Sequence, residues 1–223
     1  GDDMKILRKI ASLVGATRIA TEAGVAVIEL KGFDRWDRVE HFEWFAKTFL
    51  QGSVEVFVLL DRDWRPETAC AEIKRKLASV GVSAHIWSRK ELESYLLNPT
   101  SLARVTGASE EWLSDHIRKR SAELRPYIRK NFVRRRVDSA VADLRLQAES
   151  DAQAEFRALW ALEDNRADLV PPKRLLTLLN TDLQSSALRT TSFRTIAQRM
   201  RKEEVAHEMS NLLERLEDHA ADR

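Results

Sequence analysis

The chain has 223 residues, of which 43% are apolar and 32% charged, and 37 Lys and Arg against 35 Asp and Glu leave a formal charge of +2. That length suits one α/β domain plus a smaller helical one, and so small a net charge announces no nucleic-acid partner, so the distribution of charge has to be read instead. A single cysteine, Cys70, excludes a disulfide framework or a cysteine-rich zinc site within one chain, and no apolar run approaches the ~20 residues of a membrane span.

With an acidic start at Gly1-Asp2-Asp3 in place of a signal peptide, these features predict a cytoplasmic protein with no membrane partner. Position 1 is not methionine, so the sequence reads as part of something longer or as a chain with trimmed ends. Residues 4–14 put Leu7, Ile10, Ala11 and Val14 on one helical face, and Gly15 stops the helix. Residues 25–30, VAVIEL, read as a buried strand, and 38–50 as a helix with Val39, Phe42, Phe45, Ala46 and Phe49 on one side. From Val54 to Leu60 only Glu55 interrupts an apolar run, the signature of a central parallel strand. Pro66-Glu67 opens a helix with Cys70, Ile73, Leu77 and Val80 at helical spacing, Gly81 ends it, and 83–88 form a short strand. Strand, helix and strand in this order predict a parallel sheet flanked by helices. Beyond residue 100 no strand is evident. Residues 108–163 and 173–218 read as helical, broken at Pro171-Pro172, which predicts an α/β domain over 1–98 and an all-helical domain over 99–223.

Asp61-Arg62-Asp63 directly follows the apolar strand. In open parallel sheets ligands bind outside the carboxyl ends of the strands, and carboxylates at i and i+2 there can converge on one hard cation. The other reading is an acidic turn that only ends the strand. If the next strand is a neighbour, Ser88, Glu91 and Glu93 lie near the same edge. In a helix the two glutamates would point apart, so Glu93 is the preferred ligand and Glu91 fits a helix N-terminus. Asp2 and Asp3 stand where an upstream strand would hand over to the first helix, or they are ordinary N-terminal helix acids.

The sequence Gly1-Asp2-Asp3, then VFVLLDRD, then WSRKELESYLLNP resembles the C-terminal catalytic region of the OLD (overcoming lysogenization defect) family nucleases, which carries a Toprim domain. The resemblance covers residues 1–100 and extends loosely beyond them. It implies a Toprim-like fold and a metal-dependent DNA endonuclease or nickase using Mg²⁺, for which Mn²⁺ or Ca²⁺ substitutes in vitro. Asp61 and Asp63 match the family's DxD pair, Ser88 and Glu93 its downstream serine and acid with Glu91 close by, and Asp3 the acid ending an EGxxD-like turn. The glutamate that opens that turn is expected just upstream of Gly1. In Pro172-Lys173-Arg174-Leu175-Leu176, Lys173 matches a lysine that reaches the active site, and it also fits a surface lysine in a helix's first turn. The resemblance further implies two-metal hydrolysis with Asp61 bridging, Asp63 and Asp3 completing one metal, Ser88 and Glu93 the other, and an N-terminal ABC-type ATPase domain in the parent protein. No GxxxxGK[ST] segment is present here.

Residues 116–136 carry Arg118, Lys119, Arg120, Arg125, Arg129, Lys130, Arg134, Arg135 and Arg136, opposed within the segment by Glu123 alone, with Tyr127 and Phe132 interleaved. Such a run can track a DNA backbone with little sequence preference, or it can be a solvated helix face. The histidines show no metal-ligand spacing. Trp64 alone among the tryptophans follows the DxD pair. The last helix, with Val205, Met209, Leu212, Leu213 and Leu216, is amphipathic, to pack on the body or to pair with a second copy in a homodimer. Two other readings stand beside the nuclease. A haloacid-dehalogenase-like phosphatase wants Thr or Val where Trp64 stands. A non-catalytic Toprim-like DNA-binding or assembly scaffold is the more serious alternative.

Overall fold

The computed structural model describes residues 2–28 and 55–221. The chain forms two compact units interleaved in sequence. The first comprises Gly1–Ile28, Leu92–Leu124 and Pro171–Arg223, and the second Glu29–Glu91 and Arg125–Val170. Among the described residues the protein is mixed α/β, mostly helical, with a two-stranded parallel sheet. No helix there is long and apolar enough to cross a membrane.

In the second unit β1 (Phe57–Leu60) pairs in parallel with β2 (Ser83–Ile86), Phe57 opposite Ser83 and Leu60 opposite Ile86. Between them runs α3 (Glu67–Ser79), entered through Pro66, whose φ of −65° suits a helix start. The helix is left through Gly81 at φ +84°, a left-handed turn that glycine makes without steric cost. The apolar spacing predicted for this stretch becomes its core. Cys70 and Leu77 of α3 join Val58, Leu60, Val82 and Ile86 in one buried cluster, flanked by Val56, Ile73, Val80 and Ala84. Each such side chain contributes about 1.5–3 kcal/mol by leaving water. The unit's other elements are the later part of α5 (Glu110–Asp138), a 3₁₀ turn at Ala142–Leu144, α6 (Arg145–Ala161) and α7 (Glu163–Leu169). Phe132 of α5 packs on Phe156 of α6 at 5.6 Å, and Phe156 on Trp160 at 5.5 Å.

The first unit is helical: α1 (Asp2–Val14), α2 (Thr17–Thr21), a 3₁₀ turn at Leu92–Leu96, α4 (Pro99–Thr106), the start of α5, α8 (Pro172–Ser185), α9 (Phe193–Arg199), a 3₁₀ turn at Lys202–Glu204 and α10 (His207–Ala221). Helix α1 buries the expected Leu7, Ile10 and Ala11 and touches α2, α9 and α10. The apolar face of α10 is used inside the chain, where Met209, Leu212 and Leu213 are buried. Glu217 of the same helix accepts the backbone N–H groups of Arg18 and Ile19 at α2, at 3.0–3.1 Å.

Several expectations need correction. Residues 25–28 form no strand, and Val27 and Ile28 are 42% and 60% exposed. An apolar run alone cannot make a strand without a partner edge. Residues 29–30 and the expected helix at 38–50 lie outside the described residues. The boundary expected near Asn98-Pro99 falls inside the first unit, because Asn98 caps α4 by accepting from Thr100 N–H and the buried turn at Leu92–Leu96 belongs to that unit's core. The stretch 108–163, read as helical, is divided into α5 and α6 by a break at residues 139–141 and a 3₁₀ turn, and ends at Leu162.

Candidate functional site

In the second unit the chain leaves β1 through Asp61, which is half-buried, and enters a tight turn. Asp63 and Trp64 are both left-handed, with φ of 47° and 61°. Aspartate tolerates this region, but for a tryptophan it costs roughly 1–2 kcal/mol and persists only where the surroundings enforce it. Here they do. Asp63 N–H donates to Lys90 O at 3.0 Å, Arg65 N–H to Arg62 O at 2.9 Å, and the Trp64 indole N–H to Leu169 O at 2.7 Å. The turn is thereby tied to the segment that follows β2 and to the end of α7.

This clamp assembles a charge cluster around Asp63. Lys90 Nζ donates to Asp63 Oδ1 at 3.1 Å and to Glu91 Oε1 at 2.6 Å, and it sits 4.7 Å from the centre of the Trp64 ring. Arg65 Nη1 and Arg135 Nη2 lie 3.8 and 4.0 Å from Asp63 Oδ2. The Lys90 and Glu91 side chains are 10% and 8% exposed, that of Asp63 33%. Burial pulls the Lys90 ammonium pKa down, but the charges and hydrogen bonds of Glu91 and Asp63 outweigh it and hold the group above its usual value. Lys90 is therefore charged at neutral pH. Ser88 is exposed, and its carbonyl accepts from Arg62 Nη1 at 3.5 Å.

In the first unit Glu93, in the 3₁₀ turn, is 4% exposed and pairs with Lys173 Nζ at 2.8 Å. Lys173 stands in the first turn of α8, which Pro172 opens, and keeps most of its side chain in solvent. The two residues singled out from distant stretches of sequence thus meet. Glu91 and Glu93 pair with different cations, Lys90 and Lys173. Asp2 and Asp3 are exposed in the first turn of α1, where Asp2 pairs with Lys5 at 3.0 Å. Among the described residues no group of three or more His, Cys, Asp or Glu side chains is gathered so as to hold a metal ion. Of the carboxylates expected to converge as a set, Asp63, Glu91 and Glu93 are instead held on lysines and arginines. Two of them, Asp63 and Glu91, do converge on one cation position, and that donor chemistry fits a hard ion that keeps most of its waters.

The basic segment divides by partner. Arg118 pairs with Asp115, Arg120 with Asp182 and Glu123, Arg135 with Asp63, and Arg136 with Glu155 at 2.7 Å. The Asp182 hydrogen bond holds the Arg120 guanidinium above its usual range. Glu123 is therefore not the segment's only counter-charge, because folding supplies acids from other elements. Lys119, Arg125, Arg129, Lys130 and Arg134 remain exposed. Of these, Arg129, Lys130 and Arg134, together with Val133 and Val137, line a groove of about 550 Å³ shared with Glu149 and Gln153 of α6.

Sequence reasoning missed Lys90, Arg65 and Arg135 as partners of Asp63. For Lys90 a signal existed, a basic residue directly before an acid at the strand's exit. For Arg135 none did, since nothing local joins it to a turn more than seventy residues earlier. Trp64, singled out because it follows the DxD pair, has its indole N–H committed to Leu169 and its ring to Lys90. Comparison with protein-family models, with curated proteins and with solved structures gave no match.

Proposed function

We propose that this chain is a Mg²⁺-dependent phosphodiesterase acting on DNA, built on a Toprim-like fold and related in its motifs to the OLD family nucleases. The observation that carries the reading is the pair of carboxylates, Asp63 and Glu91, converging on a single cation position at the carboxyl ends of two parallel strands. Asp63 and Glu91 are the residues that would hold the ion, with Asp61 adjoining them at the end of β1. A divalent ion held there would supply an activated water and shield charge developing on the phosphodiester. Arg65 and Arg135, close to Asp63, add positive charge where a phosphate would approach. Within the first unit Glu93 pairs with Lys173, whose ammonium is largely exposed. The groove lined by Arg129, Lys130 and Arg134 would track the DNA backbone.

A scaffold that binds DNA without cutting it is the second reading. It is favoured by one observation, that the Asp63–Glu91 pair is engaged by Lys90. A plasmid-nicking assay with the full chain in Mg²⁺ or Mn²⁺ separates the two. Nicking that Asp61→Ala and Asp63→Asn both abolish supports the enzyme. DNA binding with no cleavage under either metal supports the scaffold.

A further inference from the structure

Lys90 is buried, charged and not free to leave by a shift of its backbone. Its N–H donates to Asp168 O at 3.1 Å, and its carbonyl accepts from Asp63 N–H at 3.0 Å. Only the side chain can move. Its ammonium lies where the Asp63 and Glu91 oxygens point, at 3.1 and 2.6 Å. Mg²⁺ and Mn²⁺ use the same kind of oxygen ligand, with Mg²⁺ at about 2.0–2.1 Å. Such an ion would need these oxygens to close in by only about 1 Å and about 0.5 Å. An ammonium and a divalent ion cannot both occupy that point, since the two cations would repel at contact distance.

We propose that Lys90 is a positioning residue that competes with the divalent ion: its ammonium holds Asp63 and Glu91 on a common point and must swing away for metal to bind. The inference rests on the metal-site reading above and adds a residue to which that reading gives no role. Without Lys90 the Asp63 and Glu91 carboxylates lose the ammonium they share, a charge that a divalent ion would replace, while Arg65 and Arg135 stay beside Asp63. Lys90→Met keeps an unbranched apolar side chain at the position and removes the charge. Lys90→Arg keeps the charge.

The test is calorimetric titration of the full chain with Mn²⁺ alone. Lys90→Met is expected to bind roughly tenfold more tightly than the parent, a size that one close competing charge commands. Lys90→Arg should not gain affinity, and Asp63→Asn placed in the Lys90→Met background should lose binding. A second measurement needs no variant. Amine acylation of the parent chain, read by mass spectrometry, should leave Lys90 protected without Mn²⁺ and label it as Mn²⁺ saturates. Equal affinity in the parent and Lys90→Met overturns the competition while leaving the metal site standing, and so does a Lys90 that stays protected at saturating Mn²⁺. Failure of both proteins to bind Mn²⁺ overturns the metal-site reading and this inference together.

Discussion

Glu204 offers a sharp test of how the helical unit is held. Its carboxylate accepts from Ser101 Oγ at 2.9 Å, from Arg104 Nη1 at 2.9 Å and from Arg201 N–H at 2.8 Å, joining α4 to the 3₁₀ turn before α10. The Arg104 hydrogen bond, more than the opposing effect of burial, lowers its pKa from 4.5 to about 2. That gap corresponds to about 3 kcal/mol at ~1.4 kcal/mol per unit. Because Arg104 keeps about a quarter of its side chain in solvent, screening reduces the expected contribution to about 2 kcal/mol. A depressed carboxylate stabilises the fold fully above its unfolded pKa of 4.5 and loses that contribution as pH falls toward 2. Glu204→Gln should therefore lower stability by about 2 kcal/mol at neutral pH, and the gap between variant and parent should shrink steadily from about pH 5 to about pH 2. Urea unfolding followed by circular dichroism at several pH values reads both. A gap that is absent at neutral pH, or that stays constant down to about pH 2, would refute the reasoning.

Three further outcomes are expected. Trp64→Phe keeps a ring beside Lys90 but removes the indole N–H to Leu169, and should cost about 1 kcal/mol in urea unfolding; an unchanged midpoint would show that the bond contributes nothing. Burial pushes the Cys70 thiol above its usual pKa, so a disulfide reagent at about pH 8 should label it only at the rate the second unit opens, and immediate labelling of the native chain would contradict its burial. Replacing Arg129, Lys130 and Arg134 together by Gln should flatten the dependence of DNA affinity on salt by about 2–3 in the log–log slope, and a slope that does not change would remove the groove from the DNA path.

The local elements are legible in the amino-acid sequence. Helix α1 ends at Val14 and Gly15 follows, β1 stops at Leu60 before the aspartates, and α3 runs between Pro66 and Gly81, because periodicity, proline and glycine act over a few residues. The stretch at 25–28 misleads for the complementary reason. Its apolar pattern is local, but a strand exists only if another edge pairs with it. The acids at the strand exits are also legible by type and position, whereas the meeting of Glu93 with Lys173 is signalled only through a resemblance of motifs.

The sequence by itself determined that α1 and α3 are helical, which apolar residues form the β1–α3–β2 core, and that acidic residues follow the strand ends. Tertiary structure alone decided what those carboxylates touch. Lys90 reaches Asp63 across 27 positions and Arg120 reaches Asp182 across 62. Charge pairing is long in reach and indifferent to chain order, so it leaves no periodic trace. Only when helices and strands are packed is it settled which cation each acid meets.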